Sequence, residues 1–530
     1  MTNRETKMLT VSLRNVLLSS ALASVVALAA YAQEEAKQGG VLQVVVTPEP
    51  PSLLTGLVTN TPTQMVSGNI LESLLRFSPE LEPIPSLAES WTVDDSETIY
   101  TFKIREGVTW HDGTPFTADD VMFSLTDFLL QVNPRWRTIN ADHVEKIEKT
   151  GEFEVTLTLK HIFDPVLMVF ENGSMPIVPA HIYEGTDIAA NPMNNSPIGT
   201  GPMKFKEWVN GSHVELVKNE DYYIDGLPRL DGAIFRFIPD AASRAIAFET
   251  GEVDVMTGGS LESADVERLS KVDNVCVTTE GWELFAPQSY FQLNVRSGPL
   301  ADKTFRQGLM YALDTEFIRD VVWGGYGEIG TGPISPRTKF FPKNSDYPYE
   351  FDPDKARELI EASSYNGEEL RLMPTPYGEN WIRTAEIARQ NFNDVGVNIK
   401  MIATDPAGWN QRASSGDFDI TNNWTYQYGD PALGVARMWV SSTIDVGNPF
   451  SNIGGYANPE IDALWEEGAI APAADRPAIY KQIHEMVADE MPALWSVDVN
   501  FPTVTHCNVK EYITTASGAN DGLLKAWIDD

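Results

Sequence analysis

Two cysteines and seven histidines are all that this 530-residue chain offers a soft or borderline metal. The histidines are scattered without ligand spacing and neither cysteine has a close second. Zinc ribbons, zinc fingers and iron–sulfur motifs are therefore excluded, and no metal or cofactor is expected. Basic residues are scarce as well: 39 Lys+Arg face 75 Asp+Glu, a net charge of −36. That balance repels phosphate backbones and anionic lipid surfaces, so nucleic acid is not an expected partner. After the N-terminus no run is long and apolar enough to cross a bilayer, which argues against stable membrane insertion. Catalytic signatures are lacking too. There is no G-x-S-x-G and no phosphate loop, and His484-Glu485 has no second His for a zinc-protease helix. Residues 325–330 spell G-x-G-x-x-G, but they follow a helix-like stretch, and Thr331-Gly332-Pro333 cannot open the helix a dinucleotide site needs. A protein that is not an enzyme is expected. A secreted hydrolase or an extracytoplasmic chaperone is the alternative from a different class.

The N-terminus is where apolar residues do run together. Arg4, Lys7 and Arg14 precede an apolar or small stretch over 16–29, and Ala30-Tyr31-Ala32 fits a cleavage site. Residues 1–32 read as a signal peptide, and no cysteine beside Ala32 invites a lipid anchor. A soluble mature chain outside the cytoplasm is expected, in the periplasm where the source has two membranes. That compartment permits a Cys276–Cys507 bridge, which the sequence leaves open because it does not give their separation.

Residues 87–125 are the most informative stretch. Ile99, Tyr100, Phe102 and Ile104 alternate with Thr101, Lys103 and Arg105, and Asp94-Asp95-Ser96 is turn material, so 90–105 reads as a hairpin. His111-Asp112-Gly113 is a second turn. Thr117 then caps a helix, with Asp120 three residues on and an apolar stripe through Val121, Leu125 and Phe128. This ordered block resembles the signature of the family 5 extracytoplasmic solute-binding proteins of ABC transporters, whose members bind dipeptides, oligopeptides or nickel. In that family the block is scaffold, so His111 and Asp112 are expected to form the turn. Further resemblances lie in 196–205 (SPIGTGPMKF), 251–255 (GEVDV) and 305–314 (FRQGLMYALD), with Ser196 and Met203 as departures.

The resemblance covers essentially the whole mature chain. It implies a type II periplasmic-binding-protein fold: α/β, two lobes built from three domains, mixed sheets and a discontinuous first domain. The expected division places domain I at 33–78, 200–275 and 500–530, domain II at 79–199 and domain III, the second lobe, at 276–499. Residues 39–47 read as a buried strand stopped by Pro48-Glu49-Pro50-Pro51, 61–77 as helix, and 152–159 as a strand. From 369 to 424 strands alternate with helices, which implies parallel βαβ units. Partners implied by the resemblance are a peptide or small-molecule ligand and the permease and ATPase subunits of an importer, met by a monomer that closes on its ligand.

Aromatic and polar residues crowd the third region, where Tyr377, Trp409, Asn410, Trp424 and Tyr426 are candidate ligand contacts. Trp424 ends a strand and enters a loop, the place where doubly wound sheets bind ligands. Residues 424–431 (WTYQYGDP) resemble the family's binding loop, in which an Asp three residues after the Trp takes a peptide's ammonium. Gln427 stands at that position here, and Asp430 follows as a turn or cap residue. Glu49 joins the set because the turn after the first strand faces the cleft in the family. A peptide is the leading ligand class. An oligosaccharide or opine-like solute is the alternative, supported by the aromatics and by Gln427.

Overall fold

The computed structural model describes residues 36–345 and 347–529, so the signal-peptide reading of 1–32 lies outside the described residues. Three sheets carry the architecture. The largest has seven strands in the order Val275–Thr278, Thr503–His506, Val255–Met256, Val41–Val45, Gly232–Arg236, His213–Lys218 and Met203–Val209. Its centre is parallel, with Val41–Val45 paired to both Gly232–Arg236 and Val255–Met256, and its flanks are antiparallel. Both faces of the central strand are covered, so Leu42, Val44 and Val45 are all fully buried, as a parallel strand requires.

The block at 87–125 forms as its chemistry predicts. Ala88–Val93 and Ile99–Ile104 pair antiparallel and join Glu154–Leu159 and Val144–Gly151 in a four-stranded sheet. Thr117 and Asp120 make a reciprocal capping box, each side chain meeting the other's end of the first helical turn. His111 locks this block to the 196–205 motif. Its Nδ1 accepts from Gly199 N at 3.2 Å and its Nε2 reaches Gly201 O at 3.0 Å, so the ring is neutral with hydrogen on Nε2. Burial holds its pKa down to about 4, against a smaller opposing pull from the Gly201 bond. Gly199 is required there by space, since a Cβ would stand 1.8 Å from Ile70 O. The helix expected over 61–77 is shorter: it spans Thr61–Ser67, and Leu75–Phe77 is a strand. Gly68 ends it by bonding back to Gln64 O, packed against Asn520 O where no side chain fits.

The six-stranded sheet runs Gly327–Ile329, Ala493–Val499, Gln288–Leu293, Ile420–Thr425, Leu370–Met373 and Ile399–Met401. The last three are parallel and are linked by Glu379–Asp394 and Pro406–Ser414, matching the alternation in the sequence. Residue 276 was expected to open the second lobe, but Val275–Thr278 is hydrogen-bonded to Thr503–His506 inside the seven-stranded sheet. We therefore propose that the chain crosses between lobes at 279–287 and 500–502. Cys276 and Cys507 are disulfide-bonded, with Cα atoms 5.1 Å apart, at the end of this strand pair where Val275 meets His506. No helix among the described residues is long and apolar enough to cross a membrane.

Asp498, on the strand Ala493–Val499, is enclosed, with the side chains of Gln288 and Ser335 beside its carboxylate. Burial pushes its pKa up to about 7, helped by Glu328 and opposed by Gln288, Ser335 and Arg337. The folded chain therefore keeps a proton that the unfolded chain releases near pH 4, and stability falls as pH climbs from there through about 7. Asp498→Asn should flatten this slope. Thermal unfolding at pH 5 and pH 8 should show the variant gaining on the parent by roughly 2–4 kcal/mol at the higher pH. Parallel pH profiles would assign the slope elsewhere.

Candidate ligand-binding cleft

A cavity of about 610 Å³ lies between the lobes. The first lobe contributes residues 56–61, the start of the helix Pro134–His143 and Ser174; the second contributes Trp424, Thr425, Tyr426, Tyr428, Arg437, Asn448 and Phe450. The strand Ile420–Thr425 delivers its carboxyl end to this cavity, where backbone groups leave the sheet and side chains take over. Trp424, Thr425, Tyr426 and Tyr428 line the cavity, and Gln427 does not. Trp424 is braced by Trp381, stacked at 5.2 Å, and meets the edges of Tyr377 and Phe450. Such bracing fixes the indole rotamer before any ligand arrives.

The lobes touch around the cavity. Tyr426 OH and Thr61 Oγ1 are 3.3 Å apart, and the Arg135 guanidinium lies 4.2 Å over the Tyr428 ring. Tyr428 has φ of 52° and Gly429 φ of 72°, a turn that brings Gly429 against Met168 of the opposite lobe; a Cβ there would be 2.4 Å from its sulfur. Further out, Arg476 opens the helix Arg476–Glu490 with no exposed surface. Its Nη2 donates to Asp430 Oδ1 at 2.6 Å within the lobe and its Nη1 to Asp164 Oδ2 at 2.7 Å across the cleft.

Several expected contacts are placed elsewhere. Gln427 is fully buried: its Oε1 accepts from Ser335 N and Thr338 Oγ1, and its Nε2 donates to Gln288 Oε1 and Pro333 O. Every hydrogen-bonding capacity is used inside the lobe, so it has none for a ligand, and the sugar reading loses that support. Trp409 is also fully buried, packed with Met373, Ala413, Phe418 and Ile453, its Nε1 donating to Thr421 Oγ1 at 3.0 Å. Glu49 turns from the cavity to accept from Trp208 Nε1 at 2.8 Å and from Gly211 N. Asp430 is a helix cap paired to Arg476, its pKa raised by burial against the pull of that guanidinium. Tyr377 and Asn410 bond each other at 2.8 Å beside Trp409, outside the cavity lining. Trp424 and Tyr426 are the expected contacts that do line it. Arg135 and Arg437 also line it and were not among the expected contacts. Asn133-Pro134 before Arg135 does carry the cap-then-proline signal of a helix start, but nothing local marks that helix as a cavity wall.

One other grouping of ligating side chains occurs among the described residues, where Glu207, His213 and Glu215 lie on adjoining strands with ligand atoms within 4.8 Å of one another. Lys206 already pairs with Glu215 at 2.8 Å, and the group is solvent-facing, as expected of a charged sheet surface.

Comparison with known proteins agrees with this architecture. The family profile "Bacterial extracellular solute-binding proteins, family 5 Middle" matches residues 82–445. The oligopeptide-binding protein AppA of Bacillus subtilis is 29% identical over 487 residues, covering 86% of each chain. Di/tripeptide-binding protein 1 of Pseudomonas aeruginosa is 27% identical over 440 residues, covering 77% of this chain and 79% of its own. The solved structure of B. subtilis AppA with a nonapeptide superposes with a TM-score of 0.78 at 25% identity, covering 94% of this chain and all of that one. On the profile match, the shared two-lobed fold and the cleft between its lobes, the chain belongs to family 5 of the bacterial extracellular solute-binding proteins, built on the type II periplasmic-binding-protein fold.

Proposed function

We propose that this protein is the extracytoplasmic receptor of an ABC importer, that it captures a short peptide in the interlobe cavity, and that it hands the peptide to the membrane permease. The observation that carries the reading is a cavity of about 610 Å³ lined from both lobes. Contacts from two lobes exist together only when the cleft is closed, so ligand binding pulls the hinge equilibrium toward closure, and the permease reads the closed form. The volume lies in the range that buries small organic ligands, which favours a few residues over a long chain. The peptide-binding relatives support the ligand class. Trp424, Tyr426 and Phe450 supply apolar walls for side chains, and no bond of the ligand is broken. The protein works as a monomer in the periplasm or its equivalent.

Calorimetry with di- and tripeptides tests this. One-to-one saturable binding is expected, with the peptide recovered intact. Because Trp424 lines the cavity, binding should change tryptophan fluorescence and reduce the radius of gyration in solution scattering. Cleavage products, or binding of unfolded chains without selectivity, would overturn the receptor reading.

A further inference from the structure

Arg135 keeps 18% of its side chain exposed, yet its Nε and Nη2 are buried with no hydrogen-bond partner. Its Nη1 donates to Ser174 Oγ at 3.3 Å and stands 3.7 Å from Glu171 Oε1. Glu171 is fully buried and is already hydrogen-bonded by Ser174, so it compensates Arg135 only on one side. Across the cleft Arg437 approaches the same Tyr428 ring, 5.9 Å from its centroid, spending Nε on Gly434 O and Nη2 on Thr425 Oγ1. Burial lowers the Arg135 pKa, Glu171 and Tyr428 oppose that, and Arg437 adds to it, so the two cations are near enough to repel. Guanidinium stays charged through such a shift. No residue lining the cavity is Asp or Glu.

A cavity with two guanidinium groups and no facing carboxylate is poorly matched to an ammonium. A guanidinium whose donors are buried and unfilled carries a desolvation penalty that a carboxylate, accepting charge-assisted bonds, removes. We infer that the cleft recognises its ligand by a carboxylate seated between Arg135 of the first lobe and Arg437 of the second, with no requirement for a free ammonium. This rests on the cavity being the ligand site proposed above. The anion relieves the repulsion between the two arginines and bridges the lobes, so the group that confers specificity also drives closure. The ligand class that follows is a carboxylate-terminated peptide, including N-acylated ones, or another amide-bearing organic acid.

The test uses trialanine, its N-acetyl form and its C-terminal amide in calorimetry. Succinate, citrate and an N-(1-carboxyethyl) amino acid are added in thermal-shift measurements against sodium chloride of equal ionic strength. N-acetylation should change affinity by no more than about 3-fold, and amidation should weaken it by about 30-fold or more. Arg437→Gln should bring the free acid and the amide level, whereas a merely structural role would weaken both alike. Arg135→Lys, which keeps the buried charge beside Glu171, should weaken the acid more than the amide. If the non-peptide acids raise the melting point of the parent but not of Arg437→Gln while no trialanine form binds, carboxylate recognition stands and the peptide reading falls. If trialanine and its amide bind equally, or acetylation abolishes binding, carboxylate recognition falls and the peptide reading stands. No rise with any acid, peptide or not, beyond that of sodium chloride also overturns it.

Discussion

Arg476→Met should destabilise the folded chain by about 3–5 kcal/mol, the cost of leaving a buried carboxylate without its cation. Asp430 is 1% exposed and loses its partner at 2.6 Å, while the methionine keeps most of the stem packed near Phe340 and Tyr480. Gly468 O also loses its donor, Nε at 2.9 Å. The double variant Arg476→Met/Asp430→Asn should recover much of that loss in urea unfolding, because it removes the orphaned charge along with the pair. Asp164 reports on a different step. Its carboxylate is 36% exposed and meets Arg476 across the cleft. Asp164→Asn should therefore cost under about 1 kcal/mol in stability. It should still enlarge the ligand-free molecule in solution scattering, since it loosens the contact between lobes rather than the core. A double variant no more stable than the single one would show that the loss lies in packing rather than in charge.

Gln427→Asp should cost about 3 kcal/mol or more and should not tighten binding of any free-amine peptide. The side chain would shorten, exchange its donors for a carboxylate, and face Gln288 Oε1 and Pro333 O, both of which are acceptors. The residual hydrogen bonds from Ser335 N and Thr338 Oγ1 would hold one oxygen at best. Thermal unfolding reads the loss directly, and calorimetry well below the transition should find ligand affinity within about 2-fold of the parent. Tightened binding of a free-amine peptide would mean that this position does reach the ligand, and the cavity would need to be redrawn around it.

These two residues mark where the sequence is readable and where it is not. Asp430-Pro431 is visible as a helix start, and Thr117 with Asp120 as a capping box, because cap chemistry is local. The hairpin at 88–104 and the parallel strands from 370 to 425 follow from alternation and rhythm, which are also local. Trp424 is marked by its place near a strand end, and it lines the cavity. Gln427 stands where the family's loop motif would aim it at a ligand, but its amide is buried and bonded inside the lobe, and no local pattern announces this, since Thr425 two positions earlier does line the cavity. Trp409 carried a core signal in Ala413, one turn on along the same helix, and both are buried together. Glu49 and Arg135 are decided by contacts across more than a hundred positions, and no window of sequence holds both partners; Arg437 is held by near neighbours at Thr425, Tyr428 and Gly434, yet nothing in that window marks it as facing the cavity.

The Cys276–Cys507 bridge has a mechanical meaning. Its sulfurs tie Val275–Thr278 to the residue that follows Thr503–His506, and a sequence separation of 231 encloses the whole six-stranded sheet. A tension applied at the two ends of the chain therefore runs through the sulfur link and bypasses everything beyond it. The second lobe hangs from that link as a closed ring, unloaded by the pull. A single cut anywhere in it also leaves the two halves of the protein attached.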